Sequence, residues 1–288
     1  MTAEQNQTTT PDWKAWRKEA AAFIHSKCPL VPEIGLILGS GLGDLADEIQ
    51  DKVVIPYREI PHFPLSTVAG HAGELVIGML EGKVVIAMKG RFHFYEGYSM
   101  QQIAFPVWVM RTLGTQVLIA TNAAGGINRS FSPGDLMIIV DHINLLWDNP
   151  LIGPNDDELG VRFPSMHLAY PWELIETAQL AADKAGVVVK RGVYVATQGP
   201  NYGTRAEGEF LRLLRADAVG MSTVPEIIAA AHAGMRTLGF SCITDATRDP
   251  KAGQEGILTH EEVVRVANES RPRFIRLMKA VIQEIKLS

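Results

Sequence analysis

Residues 34–49 read IGLILGSGLGDLADEI: an apolar run that breaks into Gly39-Ser40-Gly41-Leu42-Gly43 and resumes with helical spacing. A run of four to eight apolar residues bounded by glycines reads as a strand buried on both faces. Glycines let the backbone turn sharply and present its N–H groups. A helix starting behind such a turn adds partial positive charge. The stretch therefore fits a phosphate cradle with Ser40 as an added hydroxyl donor, and it equally fits a plain strand-to-helix turn. It does not fit a dinucleotide fingerprint, which would need glycine where Asp44 stands, and the P-loop lysine motif is absent.

The same alternation continues along the chain. KVVIAMKG (83–90), VLIATNAAGG (117–126), DLMIIVDHI (135–143), GVYVATQGP (192–200), DAVGMST (217–223) and TLGFSCITD (237–245) read as further strands. Residues 100–114, 171–186, 208–217, 225–235 and 259–285 have helical spacing, and Thr259 with Glu262 has the spacing of a capping box. Strands alternating with helices predict one α/β domain, with a mixed, mostly buried β-sheet flanked by helices on both faces. The polar start predicts a flexible tail over residues 1–12 and a single domain over 13–288.

Length and charge narrow the class. A chain of 288 residues can bury roughly three quarters of its unfolded surface without a disulfide or a metal. The net charge of −5 gives no general attraction to nucleic acid or to an anionic membrane. Two cysteines far apart, Cys28 and Cys242, form neither a disulfide framework nor a zinc set, which suits a cytoplasmic location. No apolar run reaches the roughly 20 residues of a spanning helix.

Ligands of open α/β sheets sit beyond the carboxyl ends of the strands. Here those ends carry GSGLG, KGRFHFYEG, TNAAGG, GMST and ITD. In KGRFHFYEG, alternation on an extended segment places Arg91, His93 and Tyr95 on one side, a set suited to a phosphate beside a sugar. A solvated strand end explains the same residues. His71, in GHAGELVIG, reads by itself as structural or as a ligand. Ala123 and Ala124 would let a ligand approach the backbone, Tyr202 could stack on a base, and Met221, Ser222, Thr244 and Asp245 could hold a flat heterocycle over a ribose. Each of these has an ordinary packing explanation when taken alone.

Together, GSGLG, TVAGHAGELVIG, GRFHFYEG, TNAAGGIN, GPNY and ADAVGMSTVPE occur in an order that resembles the trimeric purine nucleoside phosphorylase family, which includes methylthioadenosine phosphorylase. The resemblance implies an enzyme, a pentosyltransferase that cleaves purine (2′-deoxy)ribonucleosides reversibly with phosphate. It implies no cofactor and no metal, phosphate being a co-substrate. Its partners would be a purine nucleoside, phosphate and two further copies in a homotrimer. Carried over residue by residue, it implies phosphate binding by Ser40, His71, Arg91, His93, the Ala123 N–H and Ser222. Ribose binding falls to Tyr95, Met221 and His260, with Phe163 supplied by the neighbouring subunit. Base binding falls to Ala124, Tyr202, Gly203, Val219, Thr244 and Asp245, with Asn122 close by. His93, Asp245 and His260 are the residues placed in catalysis.

Two positions depart from the 6-oxopurine enzymes of that family. They carry Glu after the aromatic residue of G-P-x-[FY], where this chain has Gly203. They carry Asn after the Thr of I-T-N, where this chain has Asp245. An ionised carboxylate only accepts hydrogen bonds, so it opposes O6 and suits a 6-amino group. The departures predict that adenosine is accepted or preferred. The alternatives are a 5′-methylthioadenosine phosphorylase, which shares the Asp but has no need of His260, and a non-catalytic nucleoside-binding protein, which has no need of the phosphate set.

Overall fold

A computed structural model describes residues 11–68, 72–246 and 259–287. In chain order the strands are β1 (Ile34–Leu38), β2 (Gln50–Pro56), β3 (Glu74–Leu80), β4 (Lys83–Lys89), β5 (Val117–Gly126), β6 (Leu136–Leu145), β7 (Val189–Thr197), β8 (Ala218–Gly220) and β9 (Arg236–Ala246). The helices are α1 (Trp13–Lys27), α2 (Met100–Thr112), α3 (Trp172–Lys184), α4 (Arg205–Leu213), α5 (Val224–His232) and α6 (His260–Glu284).

The strands form one mixed sheet in the order β2-β3-β4-β1-β5-β8-β7-β6-β9. A further parallel pairing of β5 with β9 closes β5, β8, β7, β6 and β9 into a ring. β1 lies between β4 and β5 and is parallel to both. All five of its residues are buried, as the glycine-bounded apolar run predicts. Its last turn ends against β5: a Cβ on Gly39 would lie 2.8 Å from the Asn122 Cα and 2.8 Å from the Thr121 carbonyl oxygen. Only glycine lets the two strand ends come this close.

Two helical groups cover the sheet, α2 packed with α1 and α5, and α3 with α6. Ser99 caps α2 in a reciprocal box with Gln102. Thr259 caps α6 by accepting from the Glu262 N–H, at the position the sequence marks.

Three features differ from the sequence reading. The segment after GSGLG is a short 3₁₀ helix, Gly43–Glu48, and not an α-helix. Its poorer alignment and two-turn length give little macrodipole, so the turn itself is the feature left to fit the predicted phosphate cradle. The antiparallel strands β2 and β3 extend the sheet beyond β4. Helix α1 precedes β1 and buries only Arg17, Ala20, Ala21 and Ile24.

Gly41 has φ +74°, and a Cβ there would lie 2.5 Å from the Ala267 Cβ on α6. Gly41→Ala should therefore cost ~1–2 kcal/mol for the left-handed backbone and ~1–3 kcal/mol for overpacking. The expected reading is a Tm lower by roughly 3–8 °C in calorimetry. An unchanged Tm would contradict this turn geometry.

Candidate active site

Strand ends supply the site from several directions. Arg91 follows β4 and is 1% exposed. Its Nε donates to Glu226 Oε1 at 2.9 Å, its Nη2 lies 2.7 Å from the same oxygen, and its Nη1 donates to the Thr121 carbonyl at 2.6 Å. A buried guanidinium needs such a counter-charge, because an unpaired charge in the interior is far too costly. Ser40 stands at the end of β1, in the turn closed by the Leu42 N–H donating to the Gly39 carbonyl at 3.0 Å.

His93 is 7% exposed and begins the short 3₁₀ turn Phe94–Glu96. Its Nδ1 lies 2.9 Å from Glu96 Oε1, and its backbone N–H donates to that oxygen at 2.9 Å. The other carboxylate oxygen accepts from the Thr67 N–H at 2.8 Å and from the Thr67 hydroxyl at 2.6 Å. Burial opposes ionisation of Glu96, but the hydrogen bonds from His93 and Thr67 outweigh it and hold its carboxyl at about 2. With Glu96 ionised, Nδ1 of His93 must be the donor, so the tautomer is set. The opposite nitrogen then donates when the ring is protonated and accepts when it is neutral. Glu96 also ties His93 to the segment leading to His71, a predicted phosphate ligand that lies outside the described residues.

Ser222 is 9% exposed and sits just past β8. Thr223, fully buried, adopts φ 75° and ψ −48°, and the Val224 N–H donates to the Ser222 carbonyl at 2.8 Å. This is the rare strained γ-turn, held by surrounding contacts. The Thr223 hydroxyl accepts from Asn122 Nδ2 at 2.9 Å and lies 3.2 Å from the Ser222 hydroxyl. The Ser222 N–H points at the buried Tyr194 hydroxyl, 3.4 Å away.

The predicted sugar residues come together in part. Tyr95 stacks on the His93 ring, with centroids 4.6 Å apart and planes at 16°. Burial pushes its hydroxyl up to about 12, and the nearby Glu96 charge adds to this, so it stays a neutral donor. A Cβ on Gly199 would strike the Met221 sulfur and lie 3.3 Å from Tyr95 Cδ1. Tyr95, Gly199 and Met221 thus share one wall. His260 stands exposed in the first turn of α6, and residues 247–258 before it lie outside the described residues. Phe163 is 88% exposed, on the connection between β6 and α3.

The predicted base residues also converge. The register of β5 on β9 steps from Ala124↔Ile243 to Gly125↔Asp245, so Thr244 is an extra residue in a bulge. The Thr244 hydroxyl points to the Ala124 carbonyl at 3.4 Å. A Cβ on Gly125 would lie 3.3 Å from both Asp245 carboxylate oxygens and 3.3 Å from Val219 Cγ1. The glycine leaves room for the carboxylate on one side and Val219 on the other. The Tyr202 hydroxyl is raised by burial and then by the charges of Asp245 and Glu261, which places it in the same field. Beside Gly203 the nearest carboxylate is Glu207, but it caps α4, accepting from the Thr204 N–H at 2.6 Å.

Sequence reasoning passed over Glu96, Glu226, Thr121, Tyr194 and Gly125. Only Glu96 carried a local signal, the i, i+3 capping-box spacing to His93.

Residues 33–283 match the phosphorylase superfamily. The chain is 55% identical to purine nucleoside phosphorylase 1 of Geobacillus stearothermophilus over 93% of its own length and 97% of the relative's. It is 45% identical to the purine nucleoside phosphorylase of Mus musculus over 98% of both chains. A crystal structure of isoform 2 of the Schistosoma mansoni purine nucleoside phosphorylase, bound to cytosine and ribose-1-phosphate, superposes with a TM-score of 0.90 at 43% identity, covering 95% of this chain and 98% of that one. The chain belongs to the phosphorylase superfamily and, within it, to the purine nucleoside phosphorylases, which are pentosyltransferases.

Glu96 gives a pH prediction. Its carboxyl is held at about 2 in the folded state against an ordinary 4.5, so its stabilisation is present above pH ~4.5 and is lost as pH falls toward 2. Glu96→Gln should flatten the decline of urea midpoints between pH 5 and pH 3. An equally steep decline in both proteins would overturn this assignment of the carboxylate.

Proposed function

We propose that one pocket divides the reaction among three groups of residues and that it favours 6-aminopurine nucleosides. Ser40, Arg91, His93, the Ala123 N–H and Ser222 bind phosphate together with His71. Tyr95, Met221 and His260 bind ribose, and Ala124, Tyr202, Gly203, Val219, Thr244 and Asp245 bind the base. Residues 13–288 act as one domain, and three copies complete each other's sites. The trimer reading is supported by Phe163 at 88% exposure beside exposed Val161 and Leu168, since apolar side chains exposed along one segment mark an interface.

The chemistry follows from the arrangement. The bond from C1′ to N9 breaks with its electron pair passing into the purine, through an oxocarbenium-like state. A phosphate oxygen forms the new bond to C1′, and its negative charge stabilises the cationic sugar until it does. Arg91 and His93 orient that anion, and the neutral Tyr95 hydroxyl faces the sugar. A proton must reach N7 or N9 of the departing base.

The observation that carries the base preference is the Asp245 carboxylate seated against Gly125, opposite Val219, with no carboxylate at residue 203. An acceptor there receives the 6-amino group and repels O6. A hydrogen bond to a charged group contributes ~1.5–3 kcal/mol, which is roughly one to two decades in kcat/KM. His260 favours an unmodified 5′-hydroxyl over a 5′-methylthio group, so His260→Ala should lower kcat/KM for adenosine more than for methylthioadenosine.

In a panel of adenosine, inosine and guanosine at saturating phosphate, Asp245→Asn should move the adenosine-to-inosine ratio of kcat/KM toward inosine by roughly 10–100-fold. A parent enzyme that prefers guanosine tenfold or more would sink the 6-aminopurine reading. Ser222→Ala should raise the phosphate KM whichever base is used, and an unchanged value would remove Ser222 from the phosphate group.

A further inference from the structure

The carboxylate of Glu226 has no role in the reaction as described, yet it is 2% exposed and lies against Arg91. It occupies the first turn of α5, where a glutamate ordinarily reaches back to cap its own helix. Here Thr223 makes no side-chain cap, and Glu226 turns away from the helix to Arg91. The pair is not the usual two-pronged fork. One oxygen, Oε1, accepts from Nε and lies 2.7 Å from Nη2 in an ion pair, and Oε2 is buried with no hydrogen-bond partner among the described residues. Leaving a buried carboxylate oxygen unpaired is costly, and such groups call for an explanation.

The surroundings explain the geometry. Arg91 is gripped from two sides, by Oε1 of Glu226 on α5 and by the Thr121 carbonyl on β5. The next residue of β5, Asn122, holds Thr223, and Thr223 is the strained residue between Ser222 and α5. Arg91, β5 and the Ser222 turn are therefore braced into one unit, and Glu226 is the member that carries charge. A one-oxygen grip turns the guanidinium about its Nε edge. It also supplies a permanent counter-charge to an arginine whose anionic ligand arrives and leaves in every cycle.

We infer that Glu226 is a positioning residue of the phosphate subsite, acting through Arg91. It fixes the guanidinium against the Thr121 carbonyl whether or not phosphate is bound. This inference rests on the reading of Arg91 as a phosphate ligand.

Steady-state kinetics with phosphate as the varied substrate, and calorimetric binding of the free base, test it. Glu226→Ala should raise the phosphate KM at least tenfold while the Kd of the free base stays within about threefold. Glu226→Gln keeps an acceptor oxygen for Arg91 and should keep the phosphate KM at or below the parent value. In an Arg91→Met background, Glu226→Ala should add no further loss. Equal losses in phosphate and base binding, additive losses in the double variant, or a Gln variant as impaired as the Ala variant would overturn the inference. Should Glu226→Ala fail to fold, the Gln variant alone and in the Arg91→Met background decides it. If Arg91→Met itself leaves the phosphate KM unchanged, it is the assignment of Arg91 that fails.

Discussion

A guanidinium with 1% exposure must be neutralised where it lies, and much of this pocket is organised around doing so for Arg91. An isolated charge in the interior is prohibitively costly, and removing one partner of a buried pair is worse than never having built it. Glu226 on α5 and the Thr121 carbonyl on β5 meet that demand from two elements far apart in sequence. β1 ends flush against β5, which Gly39 permits, and α5 starts beside Arg91, which the turn at Thr223 arranges. The placement of one buried charge thus becomes a condition on the packing of the central sheet.

Histidine 93 is treated in a parallel way. Its Nδ1 edge is committed to an ionised Glu96, so the ring presents only its far nitrogen, and Tyr95 stacks on its face. Arg91 and His93 therefore each have a carboxylate partner of their own. On the proposed reading, phosphate would meet fixed donors in a dry setting more than net positive charge, which is the preorganisation that stabilises a transition state without reorganisation at the moment of reaction. A β-bulge at Thr244 redirects β9 and seats the Asp245 carboxyl group over Gly125, beside Val219.

The sequence makes the centre of the fold legible, because β1, β4, β5 and β9 are mostly buried and show it as continuous apolar runs bounded by glycine. Strand β2 is mostly exposed at the sheet edge, with a register shift between Gln50 and Val53, so its composition is too polar to read that way. Helix α1 escapes notice for a similar reason: the stripe it buries includes Arg17, which pairs with Asp156 at 2.7 Å and is indistinguishable in sequence from a solvated arginine. Ligand-facing residues at strand ends are visible through their unusual types. The residues that hold them are not, since Glu226 lies 135 positions from Arg91 and looks like any first-turn glutamate. The departures at Gly203 and Asp245 are plain in the sequence. That Gly125 makes room for the Asp245 carboxylate is not, because a bulge leaves no mark in composition.

The account stands on phosphate attacking the sugar in this pocket, and phosphorus NMR of a reaction containing adenosine and inorganic phosphate addresses it most directly. The predicted result is one equivalent of ribose 1-phosphate formed for each adenine released, with no turnover when phosphate is omitted. Release of adenine at the same rate without phosphate, leaving free ribose, would contradict it.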